Sequence, residues 1–146
     1  MSVHFSNKTD EWATPPYVFK MFDDEFHFTL DAAASKENAK CPKFFTKEDD
    51  GLKQNWGGQI VWCNPPYSQL RAWIQKARVS ADYGATTVML IPARTDTAAF
   101  HDCIYNKPNT EIRFLRGRLK FGDSKNSAPF PSMAVIFRPR DLSTTG

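Results

Sequence analysis

A chain of 146 residues with 41% hydrophobic, 14% aromatic and 24% charged side chains has enough apolar material for one domain around one core, which excludes a multi-domain machine and a disordered polypeptide. No apolar run approaches the roughly 20 residues of a membrane span, and the first residues lack the basic-then-apolar pattern of a secretory signal, so a soluble, cytoplasmic protein is expected. The net charge of +3 is uneven: residues 1–73 carry 8 basic and 10 acidic groups and residues 74–146 carry 11 and 6, so the halves stand at −2 and +5.

Most of the basic excess lies in Arg113, Arg116, Arg118, Lys120, Lys125, Arg138 and Arg140, offset within that stretch only by Asp123. Such a cluster suits a polyanion, and equally a solvated face. Cys41, Cys63 and Cys103 are widely spaced with no C-x-x-C pair, so they read as reduced packing residues and no metal site is expected.

Along the chain, residues 1–13 are polar and read as irregular, with residues 1–9 and 140–146 expected to be flexible ends. Thr14-Pro15-Pro16 reads as an N-cap followed by proline in a first helical turn, and Val18, Phe19, Phe22 and Phe26 then recur on one helical face. Residues 26–30 alternate as a strand does and end at Asp31, where an aspartate commonly caps the next turn. Residues 35–40 read as a helical turn stopped by Pro42, and residues 43–46 as a brief second strand. After Gly57-Gly58, residues 59–63 form a strand that runs straight into Asn64-Pro65-Pro66-Tyr67. Ser68 is placed to cap a helix with Leu70, Trp73, Ile74, Ala77 and Ala81 on one face and Gly84 as its stop. Residues 86–91 are continuously apolar, as in the middle of a sheet covered on both faces. Asp96 or Thr97 caps a helix through Phe100, Cys103 and Ile104, ended by Asn106-Lys107-Pro108. Strands over 111–121 and 132–137 close the chain as a hairpin.

This order predicts one α/β domain over residues 1–146 with a mostly parallel sheet and a C-terminal antiparallel hairpin. Ligands bind beyond the carboxyl ends of strands in such sheets. Asp31, Asn64-Pro65-Pro66-Tyr67 and Pro92-Ala93-Arg94 all follow strands directly and should converge at one edge.

The most informative stretch is Asn64-Pro65-Pro66-Tyr67. Two prolines after an apolar strand cannot continue a ladder, and they hold the backbone rigidly. The stretch offers the Asn64 amide oxygen and backbone carbonyls as acceptors beside the Tyr67 ring. Two acceptors suit the hydrogens of a planar exocyclic amine: they draw its lone pair out of conjugation and make it a nucleophile, while the aromatic ring stacks on the base plane.

These residues resemble the catalytic motif of the amino-methyltransferases, which transfer methyl from S-adenosylmethionine to an exocyclic nitrogen. Asp10-Glu11-Trp12-Ala13-Thr14-Pro15, Leu30-Asp31-Ala32-Ala33-Ala34-Ser35, Asp49-Asp50-Gly51-Leu52, Leu90-Ile91-Pro92-Ala93-Arg94-Thr95-Asp96-Thr97, Gly117-Arg118-Leu119-Lys120-Phe121 and Pro129-Phe130-Pro131-Ser132-Met133 are, in this order, similar to the phage-type DNA N6-adenine methyltransferases, the Dam family. The resemblance spans about residues 10–138 and implies a compact Rossmann-like methyltransferase fold, S-adenosylmethionine as cofactor, double-stranded DNA as partner and a bacterial host cytoplasm as setting, with no membrane and no metal. It leaves the chain a monomer or a weak dimer.

By the same resemblance Thr14 and Pro15 sit near the methionine part of the cofactor, Asp31, Ala33 and Ser35 line its loop, and Asp50 meets its adenine. Glu37, Asp49 and Asp50 are candidates for the ribose hydroxyls. Asn64 and the Pro65 carbonyl hold the target amine, and Tyr67 stacks on an extruded base. Arg94 follows the central strand and is placed for phosphate contact, while Arg116, Arg118 and Lys120 read as DNA contacts or as surface charge. The loop Ala32-Ala33-Ala34-Ser35 departs from the glycine-rich loops of many methyltransferases and requires its own backbone path. Two alternatives stay open: a catalytically silent DNA-binding module of the same fold, and an amino-methyltransferase acting on RNA or protein glutamine, because Asn-Pro-Pro-Tyr is shared with those enzymes.

Overall fold

Proline suits the first turn of a helix, since its φ is preset and its missing N–H would have no partner there. In the computed structural model, which describes residues 13–121 and 127–140, helix α1 accordingly spans Pro16–Phe26. The expected flexible ends, Asp10-Glu11-Trp12 and Lys125 lie outside the described residues, apart from Arg140, which is exposed. Thr14 does not cap α1; Pro15 is the N-cap residue and makes no side-chain cap bond. The helix also runs to Phe26, where the alternation from Phe26 to Leu30 suggested a strand. His27 then takes a left-handed conformation with φ 57°, the Asp23 carboxylate accepts the N–H of Phe28 at 2.9 Å, and strand β1 is only Leu30–Asp31.

The remaining elements are β2 (Ile60–Cys63), α2 (Leu70–Ala81), β3 (Thr86–Pro92), α3 (Ala98–Cys103), β4 (Thr110–Phe114) and β5 (Ser132–Phe137). Ser68 is not the cap of α2. It lies in a 3-10 turn, Tyr67–Gln69, and Gln69 precedes the helix. The buried stripe of α2 is Trp73, Ile74, Ala77 and Ser80, with Ala81 rotated partly outward. Thr97 caps α3, its hydroxyl accepting the N–H of Phe100 at 3.2 Å. The strand expected over 43–46 is reduced to a parallel bridge of Phe44 to Asp31 on the outer edge of β1.

The sheet has the order β1-β2-β3-β5-β4. β1, β2 and β3 are parallel, but β5 runs antiparallel between β3 and β4, so two of the four pairings are antiparallel and the sheet is mixed, not mostly parallel. The physical reason is composition. β5 is apolar at five successive positions, Met133 to Phe137, and all six of its residues are buried, which suits a strand with neighbours on both sides. β4 is at most half-buried and takes the edge. It stops at Phe114, short of the expected Phe121, and the chain turns at Gly117 with φ 73°.

Alternate residues of each strand feed opposite faces. Val61, Cys63, Met89, Ile91, Met133, Val135 and Phe137 pack with α2 and α3, while Trp62, Val88, Leu90, Ala134 and Ile136 pack with α1 and with Leu119, Phe121 and Phe130. No described helix is long and apolar enough to cross a membrane. The carboxyl ends of β1, β2 and β3 lie side by side because their registers run Asp31 beside Trp62 and Cys63 beside Met89.

Candidate active site

At the end of β1 the carboxylate of Asp31 is 3% exposed and accepts two backbone N–H groups of the loop that follows, from Ala33 at 3.4 Å and Lys40 at 2.9 Å. Ala32 N–H bonds to the Trp62 carbonyl and Ala34 N–H to that of Phe45. The loop is thus stitched on both sides. None of Ala32 to Ser35 takes a positive φ, so alanine serves where a glycine-rich loop would otherwise be needed. Burial outweighs the two N–H bonds and pushes the Asp31 pKa up to about 6.

At the end of β2, Asn64 lies between two hydroxyls. Its Nδ2 donates to Thr14 Oγ1 at 3.1 Å, and Tyr67 OH donates to its Oδ1 at 3.2 Å. This explains why Thr14 is no helix cap: its hydroxyl serves the asparagine. Burial holds the Tyr67 phenol above the ordinary tyrosine range, so it stays protonated as a donor. The Tyr67 ring meets the edge of Phe130, centroids 5.7 Å apart, and the Arg94 guanidinium lies 5.7 Å from the Phe130 centroid.

A third wall comes from residues 50–51. Asp50 takes a left-handed conformation with φ 58°, and its carboxylate accepts the Leu52 N–H at 3.3 Å. A Cβ on Gly51 would collide with the Ala32 carbonyl and come within 2.9 Å of the Trp73 ring, so only glycine fits. The Trp56 indole N–H donates to the Gly51 carbonyl at 2.9 Å from beneath.

These walls enclose a cleft of about 280 Å³, close to the lower end of the range for small-molecule sites. Of the residues singled out from sequence, Thr14, Asp31, Ala33, Ser35, Asp50, Asn64 and Pro66 line it. Pro15, Pro65 and Tyr67 do not line it, and Tyr67 is joined to it through its hydrogen bond to Asn64. Of the three acids considered for a ribose, Asp50 alone lines the cleft; Asp49 accepts the N–H and hydroxyl of Thr46, and Glu37 is exposed. Asn38, Lys40, Lys47, Gln69 and Trp73 also line it. None was identified from sequence, since each belongs to a loop or helix whose placement depends on the tertiary fold; Trp73 was visible only as an apolar helix position.

The basic residues divide into two groups. Arg113 bonds to Glu25 and Glu111, and Arg138 to Glu111, so these two lie in an ion-pair network joining α1 to the hairpin and are not free polyanion contacts. Arg94, Arg116, Arg118 and Lys120 are exposed, outside the cleft, and form no ion pair among the described residues.

The family model of DNA N-6-adenine-methyltransferase (Dam) matches residues 2–145. The chain belongs to the Dam family. Consistent with that, this Dam-family chain is 32% identical over 140 residues to a DNA N-6-adenine-methyltransferase of Haemophilus phage HP1, covering 90% of the chain and 80% of that protein. It is also 38% identical over 99 residues to a DNA N-6-adenine-methyltransferase of Escherichia phage T1, covering 66% of the chain and 42% of the phage T1 protein. The Dam-family membership therefore covers both the cleft and the basic C-terminal third.

Proposed function

We propose that this Dam-family chain transfers a methyl group from S-adenosylmethionine to the exocyclic N6 of an adenine extruded from duplex DNA. The observation that carries the reading is the Asn64 amide, held by hydrogen bonds at both ends in the wall of the cleft, at the point where three parallel strands end.

The cleft fits the cofactor. Gly51 leaves room where any side chain would intrude, Trp73 offers a flat apolar surface, and Asp50 and Asn38 are polar groups in the wall. When bound, S-adenosylmethionine supplies an electrophilic methyl group. On this reading Asp50 meets the nucleoside part and is the acid of choice for the ribose hydroxyls, while Thr14 stands at the methionine end of the cleft with its hydroxyl engaged by Asn64 and not by the cofactor. Asp31 acts by shaping the loop of Ala33 and Ser35, since each of its oxygens already accepts a loop amide.

Asn64 Oδ1 and the Pro65 carbonyl accept the two hydrogens of the adenine amine. As the nitrogen–methyl bond would form and the methyl–sulfur bond break, leaving S-adenosylhomocysteine, positive charge would grow on nitrogen; these two preoriented dipoles would stabilise it until one amine proton passes to solvent. Alignment of nitrogen and methyl carbon supplies much of the rate. The amine is hidden within a duplex, so the base must leave the stack, and Tyr67, backed by Phe130, provides the surface that receives it. Arg94, held over Phe130 on the same side, is the phosphate contact beside the extruded nucleotide, with Arg116, Arg118 and Lys120 extending the electrostatic footprint. The phage relatives support a bacterial host cytoplasm as its setting.

The test is to incubate the protein with isotopically labelled S-adenosylmethionine and unmethylated duplex DNA, digest the DNA, and look for N6-methyladenine by mass spectrometry. Labelled methyladenine is expected. DNA and cofactor binding without it would refute the reading. Asn64→Ala is expected to abolish transfer while cofactor affinity, measured by calorimetry, stays within about twofold, because the amide is assigned to the acceptor amine.

A further inference from the structure

The two ends of a carboxamide have nearly the same shape and opposite hydrogen-bonding sense: oxygen accepts, and the NH2 group donates. An amine presenting its hydrogens to Asn64 needs the oxygen end, and the reverse orientation would set donor against donor. Something must therefore choose the end. In the structure the amide lies between the hydroxyls of Tyr67 and Thr14, at 3.2 Å from Oδ1 and 3.1 Å from Nδ2.

These hydroxyls are chemically unequal. A phenol is far more acidic than an aliphatic alcohol, so it is the better donor, and the alcohol oxygen is the better acceptor. Both partners thus favour one orientation, with Oδ1 toward Tyr67 and the stacking side, and Nδ2 toward Thr14. We propose that Thr14 is a positioning residue that fixes which end of the Asn64 amide faces the target amine, an inference that rests on the methyltransferase reading above.

The fold supports that role. Thr14 is 5% exposed, and its β-branched side chain has few rotamers to choose from. Its neighbour Pro15 opens α1, with the N–H groups of Val18 and Phe19 bonded to the Pro15 carbonyl. Phe19 and Phe22 of α1 then pack on Trp62 of β2, two residues before Asn64, with ring centroids 5.3 and 6.1 Å apart. The core contact between α1 and β2 therefore sets the distance between the hydroxyl and the amide, across 50 positions of sequence.

The experiment compares Thr14→Val, which keeps shape and branching, with Thr14→Ser, which keeps the hydroxyl. The readouts are kcat, KM for duplex DNA, calorimetric Kd for S-adenosylhomocysteine, and the thermal midpoint. Thr14→Val is expected to lower kcat about 10-fold to 100-fold with Kd and midpoint unchanged, and Thr14→Ser to recover most of the loss. Thr14→Ala, measured beside Thr14→Ser, repeats the comparison if valine disturbs the midpoint. A valine variant with undiminished kcat overturns the proposal, as does one whose loss is matched by weaker S-adenosylhomocysteine binding, which would assign the hydroxyl to the cofactor. Wild-type protein that makes no methyladenine overturns the functional reading and this inference together; wild-type activity with an indifferent Thr14 overturns this inference alone.

Discussion

The Asp31 carboxylate is buried against its own loop, and its protonation couples to folding. An ordinary aspartate titrates near 3.8, and here burial lifts the value to about 6. Between those values the folded state holds a proton that the unfolded state has released, so this residue's contribution to stability falls as pH rises from about 4 to 6 and is flat above. The shift corresponds to roughly 3 kcal/mol. Glu111 has the opposite sign: its arginine partners lower its pKa, so its contribution is lost as pH falls. A difference measurement isolates Asp31. The unfolding free energy of wild type minus that of Asp31→Asn is expected to shrink by about 2 kcal/mol between pH 4 and 6.5, read by urea unfolding at each pH. Gly51 makes a steric prediction. Gly51→Ala drives a methyl group into the Ala32 carbonyl and the Trp73 ring, costing about 1–3 kcal/mol. Tryptophan fluorescence should shift, and S-adenosylhomocysteine affinity should fall.

Among the elements, α3 is short enough for its cap to matter. Thr97→Ala removes the acceptor for the Phe100 N–H and is expected to cost about 1 kcal/mol in urea unfolding, without change in cofactor affinity. That cap could be read from sequence because it is local: a threonine one residue before an apolar helical pattern. β2, β3 and β5 were equally visible, since apolar runs bounded by turn residues need no tertiary information. The misreadings have tertiary causes. Phe26 fits both a helix face and the start of an alternating strand, and it closes α1, whose Phe19 and Phe22 pack on Trp62. Thr14 has the sequence signature of a cap, yet Asn64, remote in sequence, claims its hydroxyl. The hairpin of residues 111–121 and 132–137 is legible in sequence, but not that β5 inserts beside β3 and makes the sheet mixed, because that depends on which strand the hairpin docks against. Asp31 and Asn64 are legible because each directly follows a strand, and Asp50 through the family resemblance of Asp49-Asp50-Gly51-Leu52; Lys40, Asn38 and Trp73 have no such marker.

At the scale of the whole molecule, the basic C-terminal third is smaller as a DNA contact than its charge count suggests, because Arg113 and Arg138 are neutralised by Glu25 and Glu111. The slope of log affinity for DNA against log salt should therefore fall by about 1 for alanine at each phosphate-contacting site among Arg94, Arg116, Arg118 and Lys120. Arg138→Ala should leave that slope unchanged. Fluorescence anisotropy over a salt series checks both, and an unaltered slope in the Arg94 variant would remove it from the interface. The position of β5 also bears on synthesis. β3 gains six paired residues from β5, and β4 pairs with β5 alone, so the sheet on which the cleft rests is complete only after residue 137 has been made. A nascent chain still attached to the ribosome short of that residue has β3 with one open edge and β4 with no partner. Catalytic competence should therefore arrive late and all at once during translation, and an arrested chain ending before Ser132 should remain protease-sensitive through β3, where one extended past Phe137 with a linker should be protected.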